Sequence, residues 1–351
     1  MNTPTSSAPL PPDVRQQPSQ PIDLWLDSNE GPPLPDDLRQ ALAEAAGDPA
    51  AWRRYPDDAP LRTLLARRYD VSPEQVVLGA GADELLDRAC RAWLPSGQAL
   101  LAPRPCFAML ERYVRAAGAT MLALPWTTGA LDLSAMDQLA RDAALVCVTT
   151  PNNPTGLAVP TDKLCELISR RSDTPFLVDL AYVDYADEDP TQALLQLPNA
   201  VVVRTFSKGR SLAGLRVGYA LAAPRAAASL RATGSPYPCS AVSLAVCRRL
   251  LEEDVPDQRL RRVRAERGSI AAELRALGFA VTPSQANFVF ATGPSPSAAT
   301  AVAERLAARG VAVRTFTEGS PHLRSSLRVT CPGDAAALTR LLAALAPEDN
   351  R

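Results

Sequence analysis

Lysine and histidine are nearly absent from this chain of 351 residues. It has two lysines, Lys163 and Lys208, and one histidine, His322, so arginine supplies most of the 37 basic residues. A single histidine argues against a zinc site of the usual histidine and cysteine type, and we predict no metal. Any reaction that needs an amine nucleophile has only these two lysine side chains to use.

Long apolar runs and long runs of one charge are also missing. No stretch approaches the roughly 20 apolar residues of a membrane span, and the N-terminus has no charged segment before an apolar core. The 37 basic and 38 acidic residues give a net charge of −1, without a basic patch for nucleic acid or an anionic membrane. Seven scattered cysteines with no C-x-x-C pair suit reduced thiols. We therefore expect a cytoplasmic protein with neither nucleic acid nor membrane as a partner.

The chain is organised as a polar lead-in followed by alternating helices and strands. Residues 1–21 carry six prolines among Ser, Thr and Gln, which predicts a disordered lead-in. Amphipathic periodicity predicts helices over Leu34–Ala46, Ala59–Tyr69, Asp83–Leu94, Phe107–Ala117, Ser134–Asp142 and Thr161–Arg171. Short apolar runs predict strands over Gln75–Leu78, Gln98–Leu101, Thr120–Leu124, Ala144–Thr149, Phe176–Asp179, Val201–Thr205 and Arg216–Leu221. This alternation favours an α/β fold with a mostly parallel sheet covered by helices on both faces.

The pattern changes near residue 250. A helical stretch, Ser240–Leu277, precedes separated strands at Phe279–Val281, Asn287–Ala291, Val311–Arg314 and Ser326–Thr330, with helices at Ser295–Arg309 and Asp334–Leu345. This texture is typical of a small α+β domain. We predict a large domain over residues 22–250, of which residues 22–45 pack with the small domain, and a small domain over residues 251–351.

Lys208 follows a strand that looks buried. The carboxyl ends of parallel strands are where α/β folds place their sites, and a lysine there can form a Schiff base. Arg216, eight residues later, is a permanent cation that could hold a phosphate. The alternative is an exposed loop lysine, but lysine is so rare in this chain that an incidental one is less expected.

Three further motifs follow predicted strands. The run Val146–Gly156 ends in a turn that would point the Asn153 amide to the same sheet edge, unless it is a simple turn. Asp179 ends another strand, where it can pair with a protonated pyridine nitrogen or merely cap a helix. Gly79–Glu84 joins a strand to a helix whose N-terminal amides can bind phosphate. It is not a dinucleotide fingerprint, because acidic residues stand where the last glycine is needed.

These motifs, in this order, resemble the fold-type I pyridoxal-phosphate (PLP) aminotransferases, and among them most closely the histidinol-phosphate aminotransferases. The resemblance runs from Asn29 to Arg328 and also includes Asn29-Glu30, Arg54-Tyr55-Pro56-Asp57, Gln285-Ala-Asn-Phe-Val289 and Leu327-Arg-Val-Thr330. It implies the fold of that family, which has a large domain with a mostly parallel seven-stranded sheet between helices and a smaller α+β domain.

The resemblance implies a role for each matching residue. Lys208 would bind the cofactor covalently and later move the proton, Asp179 would keep the pyridine nitrogen protonated, and Asn153 and Tyr182 would hydrogen-bond the phenolic oxygen. The residues expected to bind the phosphate are Gly81, Ala82, Asp83, Thr205, Ser207 and Arg216, together with Tyr55 of the partner subunit in a homodimer with shared active sites. Phe107 would stack on the cofactor ring in place of the family's usual tyrosine.

Substrate residues are implied in the same way. Arg328 would clamp the anionic end of the substrate, with Arg314 or Asn29 completing that pocket, and Arg324 would take the role if the strand register were shifted. The sequence departs from the family at a few positions, with Gly31 for an asparagine, Cys106 for a threonine, Leu110 for a tyrosine, Leu180 for a glutamate, and Cys331-Pro332 in a turn that usually contains glycine. We expect Gly31 and Leu110 to lie near the substrate and to affect specificity.

The resemblance implies an aminotransferase that uses a small amino donor and a 2-oxo acid, with histidinol phosphate and 2-oxoglutarate in histidine biosynthesis as the first choice. The alternatives are a PLP-dependent decarboxylase of a phosphorylated amino acid such as threonine phosphate, and an aromatic amino acid aminotransferase. A non-catalytic regulatory relative is a further alternative, against which the intact Lys208 and Asp179 argue.

Overall fold

A computed structural model describes residues 20–252, 258–317 and 319–346, so most of the predicted disordered lead-in lies outside the described residues. The strands are β1 Leu24–Leu26, β2 Val76–Gly79, β3 Ala99–Arg104, β4 Thr120–Pro125, β5 Leu145–Thr149, β6 Phe176–Asp179, β7 Ala200–Thr205, β8 Gly218–Ala222, β9 Ala280–Val281, β10 Phe288–Thr292, β11 Val311–Thr315 and β12 Ser326–Thr330.

Helices connect these strands. They are α1 Asp36–Ala46, α2 Pro49–Arg53, α3 Ala59–Tyr69, α4 Gly81–Trp93, α5 Ala108–Ala116, α6 Leu133–Leu139, α7 Thr161–Arg170, α8 Thr191–Leu194, α9 Pro224–Thr233, α10 Ala241–Glu252, α11 Gln258–Ala276, α12 Pro296–Ala308, α13 Pro321–Arg324 and α14 Ala335–Leu345. Short 3-10 helices cover Pro73–Gln75, Ala140–Asp142, Val183–Tyr185 and Ala213–Leu215.

The larger sheet has seven strands in the order β2-β8-β7-β6-β5-β3-β4. All neighbouring pairs are parallel except those of β8, which runs antiparallel to β2 and β7, so the predicted mostly parallel sheet is confirmed. Thr149 pairs with Asp179, and Asp179 with Val203, so the carboxyl ends of β5, β6 and β7 lie side by side. This alignment brings the polar residues that follow these strands to one edge.

Helices cover both faces of this sheet, which explains why its central strands are apolar except toward their carboxyl ends. In β7, Val202 faces one hydrophobic cluster, and its neighbours Val201 and Val203 face another on the opposite side. A strand buried on both faces cannot alternate with polar residues, because each would be desolvated without a partner.

The smaller sheet has five strands in the order β1-β11-β12-β10-β9. β1 pairs in parallel with β11, Leu24 opposite Val311, whereas the other pairs are antiparallel. The first strand among the described residues therefore belongs to the sheet built by the last third, while α1 packs on α10. In the antiparallel pair β11–β12, Arg314 lies directly opposite Arg328.

Most predicted elements are confirmed, and the missed ones are short apart from α9, which has ten residues. The stretch predicted as helical over Ser240–Leu277 is divided between α10 and α11, and residues 253–257 lie outside the described part. α9 was not predicted because it buries only Ala227 and Leu230, too few for a clear period. Among the described residues, no helix is long and apolar enough to cross a membrane, and no cluster of three metal-ligating side chains occurs. All seven cysteines are free thiols.

Candidate active site

A cavity of about 610 Å³ lies at the carboxyl edge of β5, β6 and β7, where the smaller sheet meets the larger one. Its lining includes thirteen of the predicted site residues, which are Asn29, Ala82, Asp83, Phe107, Asn153, Asp179, Tyr182, Thr205, Ser207, Lys208, Arg216, Arg314 and Arg328. Gly81 and Tyr55, also predicted to bind the cofactor, do not line it.

Lys208 comes three residues after the end of β7 and points into the cavity. Its Nζ donates a hydrogen bond to the Ser28 carbonyl oxygen at 2.9 Å and lies 5.7 Å from the centre of the Tyr182 ring. Burial and, as the next cause, the positive charge of Arg328 lower the pKa of Lys208 to about 8. An amine with this pKa is partly neutral near physiological pH, and the neutral amine is the form that attacks a carbonyl carbon.

Asp179 ends β6 and is almost fully buried. One carboxylate oxygen accepts the Ala181 N–H at 3.0 Å, and the other accepts the Thr149 hydroxyl at 3.5 Å. Burial raises the pKa of Asp179 to about 7, so its ionised form is poorly stabilised by the protein alone. A cation held next to this carboxylate would stabilise it, as a protonated ring nitrogen does.

The opposite end of the cavity is suited to a phosphate. The first turn of α4 directs its free amides there, and the Arg216 guanidinium lies beside them, bonded to Asp83 at 3.1 Å and to the Ser207 hydroxyl at 3.4 Å. Gly81 has φ +84°, and a Cβ at this position would lie 2.5 Å from Arg216 Nη2. Gly81 therefore shapes the cradle because it has no side chain.

Tyr182 stands between the two sheets. Its hydroxyl oxygen accepts hydrogen bonds from Asn29 Nδ2 at 3.1 Å and from Asn153 Nδ2 at 3.4 Å, and its ring meets Phe288 edge-on. Burial raises the pKa of Tyr182 to about 12, so the phenol stays protonated at neutral pH.

Two arginines of the smaller sheet face the cavity. Arg328 is buried, donates to Asn153 Oδ1 at 2.5 Å and to the Asp27 carbonyl at 2.6 Å, and lies over the Phe288 ring. Arg314, its partner across the strands, is half-buried. Arg324 is exposed in α13 and does not line the cavity, so the register with Arg328 inward is the one observed.

Sequence reasoning missed other lining residues, which are Asp27, Ser28, Glu30, Leu86, Met109, Tyr113, Ala181, Ala213 and Gly214. Asp27 and Ser28 act through backbone carbonyls, which no sequence pattern reveals. Met109 and Tyr113 are four residues apart on α5 and so share one helical face, a signal that was available.

One predicted position is wrong. Leu110 is buried in the hydrophobic cluster that α4 and α5 share with the sheet, and it does not line the cavity. Leu110 and Val114 form the core-facing stripe of α5, whereas its neighbour Met109 faces the cavity.

Gly31 lies beside Lys208 rather than in the main cavity. A Cβ there would come within 3.0 Å of the Lys208 carbonyl oxygen and of the Ser211 Oγ. Gly31 instead lines an adjoining groove of about 600 Å³.

Tyr55 is 81% exposed, stacks on Tyr237 with ring centres 4.8 Å apart and does not line the cavity of its own chain. Its predicted role stays a prediction.

The cavity fits a phosphorylated pyridine aldehyde in three respects. The amides of α4 and Arg216 suit its phosphate, the buried carboxylate of Asp179 suits a protonated ring nitrogen, and Lys208 supplies the amine for its aldehyde. Asp83 of α4, Arg216, Asp179 and Lys208 all line this one cavity.

Comparisons with known proteins agree with this geometry. The sequence profile of the family "Aminotransferase class I and II" matches residues 21–345. A histidinol-phosphate aminotransferase of Burkholderia mallei is 34% identical over 339 residues, covering 93% of this chain and 94% of the relative. An aromatic amino acid aminotransferase of Mycobacteroides abscessus is 36% identical over 327 residues, covering 89% and 90%. The crystal structure of histidinol-phosphate aminotransferase from Sinorhizobium meliloti in complex with pyridoxal-5'-phosphate superposes with a TM-score of 0.84 at 27% identity, covering 92% and 90%.

Proposed function

We propose, from the premise that this chain belongs to the class I and II aminotransferases, that it transfers the amino group of histidinol phosphate to 2-oxoglutarate. The protein is a PLP-dependent aminotransferase of fold type I. The identity of the amino donor and of the acceptor is the part that is proposed.

The observation that carries the proposal is the pair of arginines opposite each other on β11 and β12, both lining the cavity that contains Lys208. A transaminase binds donor and acceptor in turn at one site, so both must fit the same anchor. The phosphate of histidinol phosphate and a carboxylate of 2-oxoglutarate each offer two neighbouring oxygens. A guanidinium group can hold either pair with two parallel hydrogen bonds. The Burkholderia mallei and Sinorhizobium meliloti proteins named for this activity support the same donor.

The residues of this chain then have distinct tasks. PLP, when bound, supplies an electron sink next to the substrate carbon. Asp179 would hold the proton on the ring nitrogen, Tyr182 would donate its hydroxyl proton to the phenolic oxygen, and Arg216 with the α4 amides would anchor the phosphate. Lys208 Nζ would accept the proton from the substrate carbon that carries the amino group and hold it for return. Phe107 would stack on the ring.

A second donor class is supported by specific observations. The Mycobacteroides abscessus relative acts, by its name, on aromatic amino acids, and it is 36% identical. The cavity also has apolar and aromatic lining residues, Leu86, Phe107, Met109 and Tyr113, beside its arginines. An aromatic side chain and an imidazole ring are both flat and could occupy this lining.

We propose that the active unit is a cytoplasmic homodimer, in which Tyr55 of one subunit contacts the cofactor phosphate in the other subunit. Support comes from the exposed stack of Tyr55 on Tyr237, which presents a flat aromatic surface of the kind enriched at protein interfaces. We also propose that the boundary between the large and small domains lies near residue 250, with β1 part of the small domain.

A substrate panel tests the donor. PLP-loaded enzyme receives histidinol phosphate, phenylalanine, tyrosine or threonine phosphate, each with 2-oxoglutarate, and glutamate and carbon dioxide are both measured. We expect glutamate with histidinol phosphate at the highest kcat/KM. A higher kcat/KM with phenylalanine or tyrosine would assign the aromatic function, and carbon dioxide without glutamate from threonine phosphate would assign the decarboxylase.

A further inference from the structure

We propose that Asn29 and Thr330 are positioning residues that fix the direction in which Tyr182 donates its hydroxyl proton, and that Asn29 is not a substrate contact. The inference rests on the proposed contact between Tyr182 and the cofactor, but not on the identity of the amino donor. Two hydrogen bonds carry the proposed effect. Thr330 on β12 bonds to Asn29, and Asn29 bonds to Tyr182.

The phenolic oxygen of Tyr182 already accepts two N–H donors, from Asn29 and Asn153. A tyrosine hydroxyl has two acceptor positions and one proton. With both acceptor positions filled, the proton is left to point into the cavity, where the cofactor's oxygen would lie.

The orientation of the Asn153 amide is fixed by charge. Arg328 donates to Asn153 Oδ1 at 2.5 Å, and a guanidinium has no acceptor atom. The oxygen of that amide must therefore face Arg328, which leaves its nitrogen to face Tyr182.

The orientation of the Asn29 amide must be fixed in another way. If this amide were reversed, its oxygen would face Tyr182 and accept the phenol proton. Thr330 prevents this reversal. Its hydroxyl accepts the Asn29 backbone N–H at 3.0 Å, and its single hydrogen is donated to Asn29 Oδ1 at 3.1 Å. If the amide were reversed, the Thr330 hydrogen would lose this acceptor in a buried place, at a cost of about 1 to 3 kcal/mol.

Asn29 has little hydrogen-bonding capacity left for a substrate. It is 1% exposed, and its backbone carbonyl accepts Asn287 Nδ2 at 3.2 Å in addition to the bonds with Thr330 and Tyr182. Its φ of +54° is in the left-handed region, where asparagine is several-fold enriched over most residues. Asparagine therefore suits this position for two reasons. It adopts the left-handed backbone conformation readily, and its side-chain amide can donate one hydrogen bond and accept another.

Thr330 and Arg328 are two residues apart on β12 and so lie on the same face of that strand. Each acts on Tyr182 through one asparagine, Thr330 through Asn29 and Arg328 through Asn153. The charged groups that also face Tyr182 are Lys208, Arg328, Asp179 and Asp83. None of these four is altered when Thr330 is changed, so its effect can be isolated.

The test is a spectral titration without substrate. The visible absorbance of PLP-loaded enzyme is followed against pH for the parent, Thr330→Val, Thr330→Ser and Asn29→Ala. A proton donated to the cofactor's phenolic oxygen withdraws negative charge there, so the neighbouring nitrogen that joins Lys208 to the cofactor loses its proton at lower pH. Losing a hydrogen bond of about 0.5 to 1.5 kcal/mol raises the midpoint by about 0.4 to 1 pH unit.

We expect this rise in Thr330→Val and Asn29→Ala, whereas Thr330→Ser, which keeps the hydroxyl, stays at the parent value. In the background of Tyr182→Phe, Thr330→Val should no longer move the midpoint, because the phenol through which it acts is gone. A midpoint unchanged in both Thr330→Val and Asn29→Ala, or a shift that persists in the Tyr182→Phe background, would overturn the proposal. If one variant does not fold or load PLP, the other gives the same reading.

The roles of Asn29 as a positioning residue and as a substrate contact differ in a second readout. A substrate contact would change KM for the amino donor and leave the substrate-free titration at the parent value, and that result would also overturn the proposal. Failure of the enzyme to use histidinol phosphate would contradict the proposed donor alone, since the titration contains no substrate.

Discussion

Replacing Arg328 by lysine should separate charge from geometry at the proposed anion site. Lysine keeps the positive charge but loses the planar fork, so it cannot hold a phosphate with two parallel bonds. Arg328 is 5% exposed and its observed bonds, to Asn153 and the Asp27 carbonyl, are short. A guanidinium held this rigidly has little conformational freedom to lose when a substrate binds.

The hydrogen bond lost in Arg328→Lys sets the expected magnitude. Lysine keeps the charge but loses one charge-assisted hydrogen bond of the fork, which is worth about 1.5 to 3 kcal/mol. Since each 1.36 kcal/mol is a factor of ten, kcat/KM for histidinol phosphate should fall roughly 10-fold to 150-fold in Arg328→Lys. Arg314 is half-buried, and the same change there should cost about tenfold or less, in the range of an exposed pair.

The assay is steady-state formation of glutamate from histidinol phosphate and 2-oxoglutarate, with PLP content measured for each variant. Arg314→Lys is the matched control, because it stands opposite Arg328 and undergoes the same chemical change. A kcat/KM within threefold of the parent in Arg328→Lys, or a larger loss in Arg314→Lys, would refute the assignment of Arg328 as the main anion anchor.

Three further predictions follow from the site. Borohydride reduction of the PLP-loaded enzyme and peptide mapping should place the label on Lys208, and a label on Lys163 would exclude the assignment. The raised pKa of Asp179, about 7 against an ordinary 3.8, means that the cofactor-free fold is favoured at low pH and loses this stability as pH rises through 7. Asp179→Asn should therefore raise the melting temperature of cofactor-free protein more at pH 8 than at pH 5.5, and equal shifts at the two pH values would contradict the pKa; the same variant should lose about 100-fold or more in turnover when loaded with PLP. Mixing inactive Tyr55→Phe with inactive Lys208→Ala should restore part of the activity through hybrid dimers, and an active monomer at all dilutions would exclude the shared site.

Much of the cofactor site could be predicted because it lies where mostly apolar strands end. β6 is apolar up to Asp179 and β7 is apolar up to Arg204, so Asp179 and the nearby Lys208 stand out as positions at the sheet edge. The order of the motifs along the chain then indicated the family. The fold of the larger sheet follows from the same pattern.

The remaining parts depend on contacts that no local pattern records. β1 has three residues, and it is a strand only because β11, far along the chain, pairs with it. The carbonyl oxygens of Asp27 and Ser28 serve the site, yet every residue has a carbonyl, so their selection comes from tertiary structure. Leu110 was misplaced because neighbouring residues on a helix point about 100° apart.

The pairing of β1 with β11 also orders events in time. Asn29, just after β1, bonds to Thr330, 301 residues later in the chain. At a synthesis rate of about 5 to 20 residues per second, the nascent N-terminal segment waits roughly 15 to 60 s for these partners to be made. Its strand is only three residues long, and short edges recruit other chains poorly, which protects the segment while it waits. The pocket that holds Lys208 is thus completed only after β12 has been made, when Thr330 can bond to Asn29.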